Sequence, residues 1–190
     1  MYPDLIVIRH GQTEWNLERR WQGHGDSPLT AKGRDQARAM GAVLAREAIG
    51  PATHAAYVSP LGRALATARL MLGPDWPATP DPRLREIGVG GWEGWLMDDV
   101  AEASGLPDDS SPYAFYELAP GGEGFAALHD RLRGFLATLN APSVLVTHGI
   151  TSRMIRTLAT GRDLDRFDEL PGGQGVVYRV RDGVHETLAP

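Results

Sequence analysis

The composition of this 190-residue chain limits the classes of protein to which it can belong. Apolar residues make up 42% and charged residues 23% of the sequence, as in a typical soluble globular protein, and the length suits one domain with a sizeable core. The net charge of −5, without a basic stripe, argues against nucleic acid or an anionic membrane as a partner. The chain has no cysteine, which excludes disulfides, thiol catalysis and cysteine-ligated zinc.

The hydropathy pattern gives no sign of export or membrane insertion. The first apolar run begins almost at Met1, which leaves no room for a signal peptide. No apolar run approaches the ~20 residues that a membrane-spanning helix needs. We therefore expect a cytoplasmic protein with no membrane partner.

Two similar apolar runs, one near each end of the chain, predict the centre of the fold. Leu5–Ile8 runs directly into Arg9–Gly11, and Val144–Val146 runs into Thr147–Gly149. Runs without polar alternation are typical of strands buried on both faces of a parallel sheet. Because parallel sheets bind ligands at the carboxyl ends of their strands, we expect the histidine that follows each run to lie at one shared site.

Helices and strands alternate along the rest of the predicted structure. Apolar positions at helical spacing predict helices over about 31–48, from a cap at Ser59-Pro60 to about 72, near 96–104, over about 125–139 and from 149 to about 160. Further strands are predicted over 54–58, 143–147, 175–181 and 184–188, with a short extended piece over 83–87. Asp182-Gly183 predicts a hairpin between the last two strands.

This order predicts an α/β fold: a three-layer α/β/α sandwich with a doubly wound, mostly parallel sheet and an antiparallel edge. No composition shift marks a boundary, so we expect a single domain over residues 1–190. The segment over about 95–122 is the least regular, and we interpret it as a lid or insertion over the strand ends. A homodimer formed through the C-terminal strand edge is left open.

Five side chains near the predicted strand ends have the chemistry of a phosphate site. They are Arg9, His10, Arg63, Glu86 and His148. Guanidinium groups bind phosphate oxygens bidentately and stay charged, and helix N-termini after Gly11 and Gly149 would favour an anion. A histidine can attack phosphorus and carry the phosphoryl group. A glutamate can protonate the leaving oxygen and later take a proton from water.

The motifs around these residues resemble the histidine phosphatase superfamily, which has the phosphoglycerate mutase-like fold. The matching segments are 9–16, 22–23, 59–64, 91–94, 120–123 and 146–149, in the family's order. The resemblance implies that His10 becomes phosphorylated, that Glu86 donates a proton, and that no metal or other cofactor is needed. It also implies a set of phosphate-binding and substrate-binding residues: Arg9, Asn16, Gln22, Gly23, Arg63, His148 and Gly149.

Within this family the sequence favours a phosphatase that acts on a small phosphorylated metabolite through a phosphohistidine. Phosphoglycerate mutases of the family carry a lysine and paired arginines after the catalytic glutamate. Residues 95–122 contain neither lysine nor arginine and are rich in carboxylates, and we expect an acidic lid to repel a phosphoglycerate. Gln22-Gly23 also resembles the phosphatase branch more than the mutase branch.

Several alternatives remain open at this point. The chain could instead perform mutase-type phosphoryl transfer or bind a phosphorylated ligand without catalysis. His10, His148 and Glu86 could form a metal site with two histidines and one carboxylate, although the adjacent arginines would repel a cation. Glu14 is a second candidate for the proton donor. Trp21 or Trp95 could stack on a substrate ring.

Overall fold

The computed structural model describes residues 2–107, 109–111 and 113–188. Within these residues, six strands form one sheet: β1 (Leu5–Arg9), β2 (Ala55–Val58), β3 (Thr79–Pro80), β4 (Ser143–Thr147), β5 (Val177–Arg181) and β6 (Val184–Leu188). Their spatial order is β3-β2-β4-β1-β5-β6. Strands β1 to β4 are parallel, whereas β5 is antiparallel to both of its neighbours. The mostly parallel sheet with an antiparallel edge is therefore confirmed.

The helices are α1 (Glu14–Leu17), α2 (Ala31–Arg46), α3 (Gly62–Leu72), α4 (Met97–Ser104), α5 (Ala114–Leu118), α6 (Gly124–Leu136) and α7 (Gly149–Thr160). Short 3₁₀ helices cover Pro82–Leu84, Gly90–Trp92 and Leu164–Glu169. In the described part of the chain, no helix combines the length and apolarity needed to cross a membrane.

Alternate residues of β1 belong to two separate hydrophobic cores, one on each face of the sheet. Ile6 and Ile8 pack in a core with residues of α2 and α3 such as Met40. Leu5 and Val7 pack in a second core with residues of α6 and α7. Side chains of successive strand residues point to opposite faces, so an uninterrupted apolar strand implies helices on both sides. This confirms the three-layer sandwich.

Two predicted elements differ from the observed ones near the site. Helix α3 begins at Gly62 rather than at Ser59-Pro60, because the Ser59 N–H donates to the Val146 carbonyl and Ser59 so extends the pairing of β2 with β4. The predicted extended piece over 83–87 begins instead as the 3₁₀ turn Pro82–Leu84, in which the Asp81 carboxylate accepts the Arg83 N–H at 2.8 Å.

Other differences concern the edges and the less periodic regions. The loop over residues 74–82, which contains four prolines, also contains β3, which pairs with Tyr57 and Val58 of β2. Helix α6 ends at Leu136 rather than near residue 139. The helix over Ala114–Leu118 lay inside the segment predicted as irregular. That segment includes residues 108 and 112, which lie outside the described part of the chain.

Two glycines let the loop after β1 pack directly against the first turn of α2. A Cβ built on Gly33 would lie 2.0 Å from the Gln12 carbonyl oxygen, and one on Gly11 would lie 2.2 Å from the Gly33 carbonyl oxygen. Both obstacles are backbone atoms, which cannot rotate away. The contact fixes the path of the chain immediately after His10.

We expect Gly33→Ala to lower the free energy of unfolding by about 1–3 kcal/mol, because the added methyl overpacks this contact. Gly134→Ala in α6 is the matched control, since a Cβ there meets no atom within 4 Å. Removing a glycine from a helix interior should raise stability by about 0.5–1 kcal/mol. Urea unfolding of both variants and of the wild type measures these two changes in the free energy of unfolding. Equal midpoints would show that the backbone contact is not tight.

Candidate active site

The carboxyl ends of β1, β2 and β4 bring most of the predicted residues to one small cavity. Its volume is about 70 Å³. Seven of the predicted residues line it: Arg9, His10, Asn16, Gln22, Gly23, Arg63 and Glu86. His148 lies against His10, with 5.1 Å between the two ring centroids, and Gly149 lines a neighbouring cavity. The structure thus brings these residues together at the edge of the sheet where the sequence predicts a site.

His10 is held in the tautomer that a nucleophile needs. Its Nδ1 lies 2.8 Å from the Gly11 carbonyl oxygen, which can only accept, so the ring proton belongs on Nδ1. The Nε2 atom then carries the lone pair and accepts a hydrogen bond from Arg63 Nε at 3.2 Å. Only 2% of the residue is exposed. Burial, and then the charges of Arg63 and Arg9, hold the pKa of His10 well below its ordinary value.

We expect the His10 ring to stay neutral, with its proton on Nδ1, at about pH 5.5, where an unperturbed histidine with a pKa of ~6.5 is largely protonated. The lowered pKa means that protonation is unfavourable in the folded state until the pH falls well below that value. Two-dimensional ¹H–¹⁵N spectra of the imidazole groups check this, with His10→Asn to identify the signals. A His10 ring that titrates near 6.5, or that carries its proton on Nε2, would contradict the assignment.

Arg63 is almost fully committed to holding the loop over residues 22–26. It is 1% exposed, and its Nη2 donates to the Gly23 carbonyl at 2.8 Å. Its Nη1 donates to the Gly25 carbonyl at 2.6 Å and to Asp26 at 3.2 Å. With Nε donating to His10, a guanidinium with five N–H bonds has one left for a ligand. Arg63 therefore positions the loop and His10 and has only one remaining N–H donor for a ligand.

Arg9, unlike Arg63, has a guanidinium that is not used in hydrogen bonds to other described residues. Among the described residues, no hydrogen bond engages its guanidinium, and its buried Nε has no partner. Burial lowers the pKa of Arg9, and the negative charge of Glu86 offsets part of this effect. The guanidinium lies about 3.4 Å from where a Cβ on Gly149 would stand, so glycine there leaves room for it. Arg9 is therefore the arginine with the most donors available to a phosphoryl group.

His148 lies behind His10 and is fully buried. Its Nε2 lies 2.7 Å from the Ser59 hydroxyl, and its Nδ1 has no partner among the described residues. Burial, then the charges of Arg63, His10 and Arg9, lower the pKa of His148 well below the ordinary value. The ring is consequently neutral and can donate only one N–H bond.

Glu86 is fixed by the N-terminus of α7. Its Oε1 accepts hydrogen bonds from the N–H groups of Ile87 and Thr151 at 3.0 Å and from the Thr151 hydroxyl at 2.9 Å. Its Oε2 accepts one bond, from the Ile150 N–H at 3.2 Å. The expectation that this helix terminus would face the phosphate is therefore corrected: two of its N–H groups bind Glu86. The chain after Gly11 also begins only the four-residue helix α1.

The remaining predicted residues shape the cavity on the side of the 22–26 loop. Gln22 donates to Thr13 at 3.0 Å, which leaves its buried Oε1 without a partner. Asn16 Oδ1 accepts from Thr13 and from Gln174. Gly23 has a φ of +48°, and a Cβ there would lie 2.6 Å from Val89 Cγ2. Glycine is thus required both for the left-handed backbone and for the close approach.

Five residues that line the cavity were not among the predicted site residues: Arg20, Trp21, Val89, Met97 and Tyr116. Tyr116 comes from α5, and its ring packs on Trp21 with centroids 4.6 Å apart. Burial raises the pKa of the Tyr116 phenol, so the hydroxyl stays protonated. Trp21 was considered as a stacking residue, but the aromatic pattern alone did not distinguish ligand contact from packing.

The structure also bears on the alternatives from the sequence. Glu14 is exposed and does not line the cavity, so Glu86 is the better placed carboxylate. In the described part of the chain, no three His, Asp or Glu side chains are grouped to hold a metal ion. The carboxylates of 95–122 that are described do not line the catalytic cavity. Their repulsion of a charged substrate is therefore a weaker argument than the sequence indicated.

The structure places a buried histidine with a lowered pKa in a cavity lined by two arginines, at the carboxyl edge of a doubly wound sheet, and this arrangement has the chemistry of a phosphoryl-transfer site. The chain belongs to the histidine phosphatase superfamily, because the sequence model of branch 1 of that superfamily matches residues 5–185. Its fold is the phosphoglycerate mutase-like fold of that family.

Two curated relatives illustrate the range of activities among similar proteins. Phosphoserine phosphatase 1 of Hydrogenobacter thermophilus is 31% identical over 172 residues, which cover 86% of this chain and 79% of that protein. A 2,3-bisphosphoglycerate-dependent phosphoglycerate mutase of Beijerinckia indica is also 31% identical, with 93% of this chain and 91% of that protein covered. Among solved structures, YhfR of Bacillus stearothermophilus has a TM-score of 0.78 at 33% identity, over 97% of this chain and 95% of that one. Membership of this family indicates that the chain is an enzyme that transfers phosphoryl groups.

Proposed function

We propose that the chain hydrolyses phosphomonoesters of small metabolites, without a metal ion, through a phosphohistidine on His10. The observation that carries this proposal is the state of His10: its proton is held by the Gly11 carbonyl, so Nε2 carries the lone pair in a cavity lined by Arg9 and Arg63. The Arg63 Nε–H bond to that lone pair orients the ring and breaks when Nε2 attacks. Glu86 lines the same cavity and supplies the carboxylate that both steps require.

In the first step, His10 Nε2 attacks phosphorus. The P–N bond forms as the P–O bond to the leaving group breaks, and a proton from Glu86 goes to the leaving oxygen. Glu86 Oε2 suits this role better than Oε1, because Oε1 already accepts three hydrogen bonds. The Arg9 guanidinium and the remaining Arg63 N–H bind the phosphoryl oxygens and stabilise their charge in the transition state.

In the second step, water attacks the phosphorus of the phosphohistidine and gives a proton to the Glu86 carboxylate. The P–N bond breaks, inorganic phosphate leaves, and His10 recovers its lone pair. The balance is one phosphomonoester and one water consumed for one alcohol and one phosphate released. Glu86 ends protonated, ready for the next first step.

A phosphoglycerate mutase is the second candidate. It would use the same first step and then pass the phosphoryl group to another hydroxyl of the bound substrate. The similarity to the Beijerinckia mutase favours it. The similarity to phosphoserine phosphatase and the lack of lysine and arginine in residues 95–122 favour hydrolysis.

Phosphorus NMR of the purified chain in excess chelator tests the proposal, with O-phosphoserine, 3-phosphoglycerate and 4-nitrophenyl phosphate as substrates. We expect inorganic phosphate as the phosphorus product, together with a phosphoryl adduct on the quenched protein by intact mass. Accumulation of 2-phosphoglycerate with little phosphate would establish the mutase instead. Binding with neither turnover nor adduct would indicate a non-catalytic binder, and activity that needs an added metal would overturn the mechanism.

A further inference from the structure

A second cavity opens beside the catalytic one and has no part in the steps above. Its volume is about 240 Å³, and it shares Arg9, Glu86, Met97 and Tyr116 with the catalytic cavity. Because Glu86 stands on the shared wall, a leaving group that takes its proton from Glu86 has this cavity within reach. The cavity is therefore placed to hold the part of a substrate that leaves.

The charged lining of the second cavity is strongly cationic. Arg9, Arg153 and Arg156 line it, and Glu86 is the single carboxylate among its described lining residues. Glu86 in turn is occupied by hydrogen bonds from α7. No ion pair joins Arg153 or Arg156 to a carboxylate in the described part of the chain; Asp168 acts on Arg153 only through space.

Arg153 is held in place by stacking rather than by polar contacts. Its guanidinium lies over the ring of Tyr113, 5.0 Å from the centroid, and over that of Phe167 at 5.5 Å. No hydrogen bond engages it among the described residues, and its Nη1 is buried without a partner. Arg156 differs, since each of its three guanidinium nitrogens has a partner: the Ser152 carbonyl, the Pro171 carbonyl and His185 Nε2. Among the described residues that line the cavity, the buried guanidinium nitrogens without a partner belong to Arg153 and Arg9.

Buried polar atoms without partners are concentrated at these two cavities. Seven such side-chain atoms occur among the described residues, and five belong to residues that line one cavity or both: Arg9, Trp21, Gln22, Ser152 and Arg153. Native proteins leave few buried polar groups unpaired, and a cluster of them needs a physical explanation. Unpaired guanidinium nitrogens on residues that line a cavity fit an oxyanion, which Arg binds bidentately.

We infer that the second cavity binds a further anionic group of the substrate, a carboxylate or a second phosphate on the leaving-group side. Arg153 would contact that group, together with the Arg9 N–H groups that do not bind the phosphoryl oxygens. This inference rests on the proposed phosphomonoesterase function and narrows its substrates to compact phosphomonoesters that carry two anionic groups. Arg153 would then determine specificity without taking part in bond breaking.

Pairs of ligands that differ in the second anion test the inference. One pair is 3-phosphoglycerate and glycerol 3-phosphate, which differ by a carboxylate; the other is fructose 1,6-bisphosphate and fructose 6-phosphate, which differ by a phosphate. Dissociation constants are measured by calorimetry on His10→Ala, so that no ligand is consumed, and kcat/KM is measured on the wild type. We expect the member with the second anion to be favoured by about tenfold or more in at least one pair.

Arg153→Met keeps an unbranched chain between the two rings but removes the charge. We expect it to reduce the preference within the favoured pair to less than about threefold, and Arg153→Lys to restore part of it. Arg133→Met is the control, because Arg133 is exposed on α6 and lines neither cavity. It should leave the preference unchanged.

The outcomes separate this inference from the proposed function. If the wild type favours neither member of either pair, or if Arg153→Met weakens both members equally, the inference is wrong and Arg153 has a structural role. The pair in which the preference is observed shows whether the second cavity binds a carboxylate or a phosphate. If no phosphomonoester is hydrolysed but the binding preference and its loss are observed, the proposed hydrolysis fails while the anion site stands.

Discussion

We expect His10→Ala to lower kcat for any phosphomonoester by at least about 10⁴-fold, because the variant has no group that can carry the phosphoryl. The geometry makes this a loss of chemistry more than of binding. Arg9 makes no hydrogen bond to His10, so its donors remain available to phosphate in the variant. We therefore expect the dissociation constant of a substrate to change much less than kcat.

Measurement of kcat, of the dissociation constant and of the covalent adduct by intact mass separates these effects. The variant leaves the Arg63 Nε–H without its His10 partner, so the folded state must be verified by urea unfolding. His129→Ala is the control, because His129 lies on α6 beside Asp130 and lines neither cavity. Imidazole added to His10→Ala should restore some turnover if it enters the vacated space and accepts the phosphoryl group. Unchanged turnover in His10→Ala would exclude His10 as the nucleophile.

The sequence was sufficient to predict the elements whose pattern reports burial directly. Leu5–Ile8 and Val144–Val146 are fully buried, as their unbroken apolar character indicated. Helix α7 ends at Thr160, as its predicted bounds indicated, and Gly161 follows in the left-handed conformation that glycine favours at this cap. Strand β3 could not be found this way, because a two-residue edge strand that contains Pro80 depends on pairing with β2.

The site shows the same division between local and long-range information. Motif order located Arg9, His10, Arg63 and Glu86, since each follows a recognisable local pattern. The hydrogen-bond partner of each arginine N–H group could not be predicted, because these partners lie far away along the chain. Arg63 and Arg9 look equivalent in sequence, yet the loop over residues 22–26 occupies Arg63 and leaves Arg9 free.

Arg153 is the clearest example of a residue whose place beside the site could not be predicted from the sequence. Residues 95–122 lack basic side chains, and this absence predicts that the segment repels a phosphoglycerate. The structure places Arg153 and Arg156 from α7 beside the catalytic cavity instead. The composition of the segment that covers a site gives no information about charged side chains that a distant segment brings to the same site.

Glu86→Gln is expected to lower kcat/KM for alkyl phosphates by about 10²–10⁴-fold, the usual contribution of a general acid. The effect should depend on the leaving group. An alkoxide needs a proton as the P–O bond breaks, whereas 4-nitrophenolate is stable without one. We therefore expect the first step with 4-nitrophenyl phosphate to slow by less than about tenfold. Rapid-quench kinetics should show a burst of nitrophenol, followed by slow hydrolysis of the phosphohistidine, because the second step also needs the carboxylate.

The substitution is nearly isosteric, so a general loss of structure would not mimic this pattern. A carboxylate accepts all four hydrogen bonds at this position, but an amide NH₂ cannot accept. Gln therefore loses least when its NH₂ replaces Oε2, where only the bond from Ile150 is lost. The lost bond should cost about 1 kcal/mol of stability. Glu14→Gln is the control, since that carboxylate is exposed and also follows the histidine motif. Equal slowing of alkyl and aryl phosphates by Glu86→Gln would show that Glu86 positions α7 rather than donating the proton.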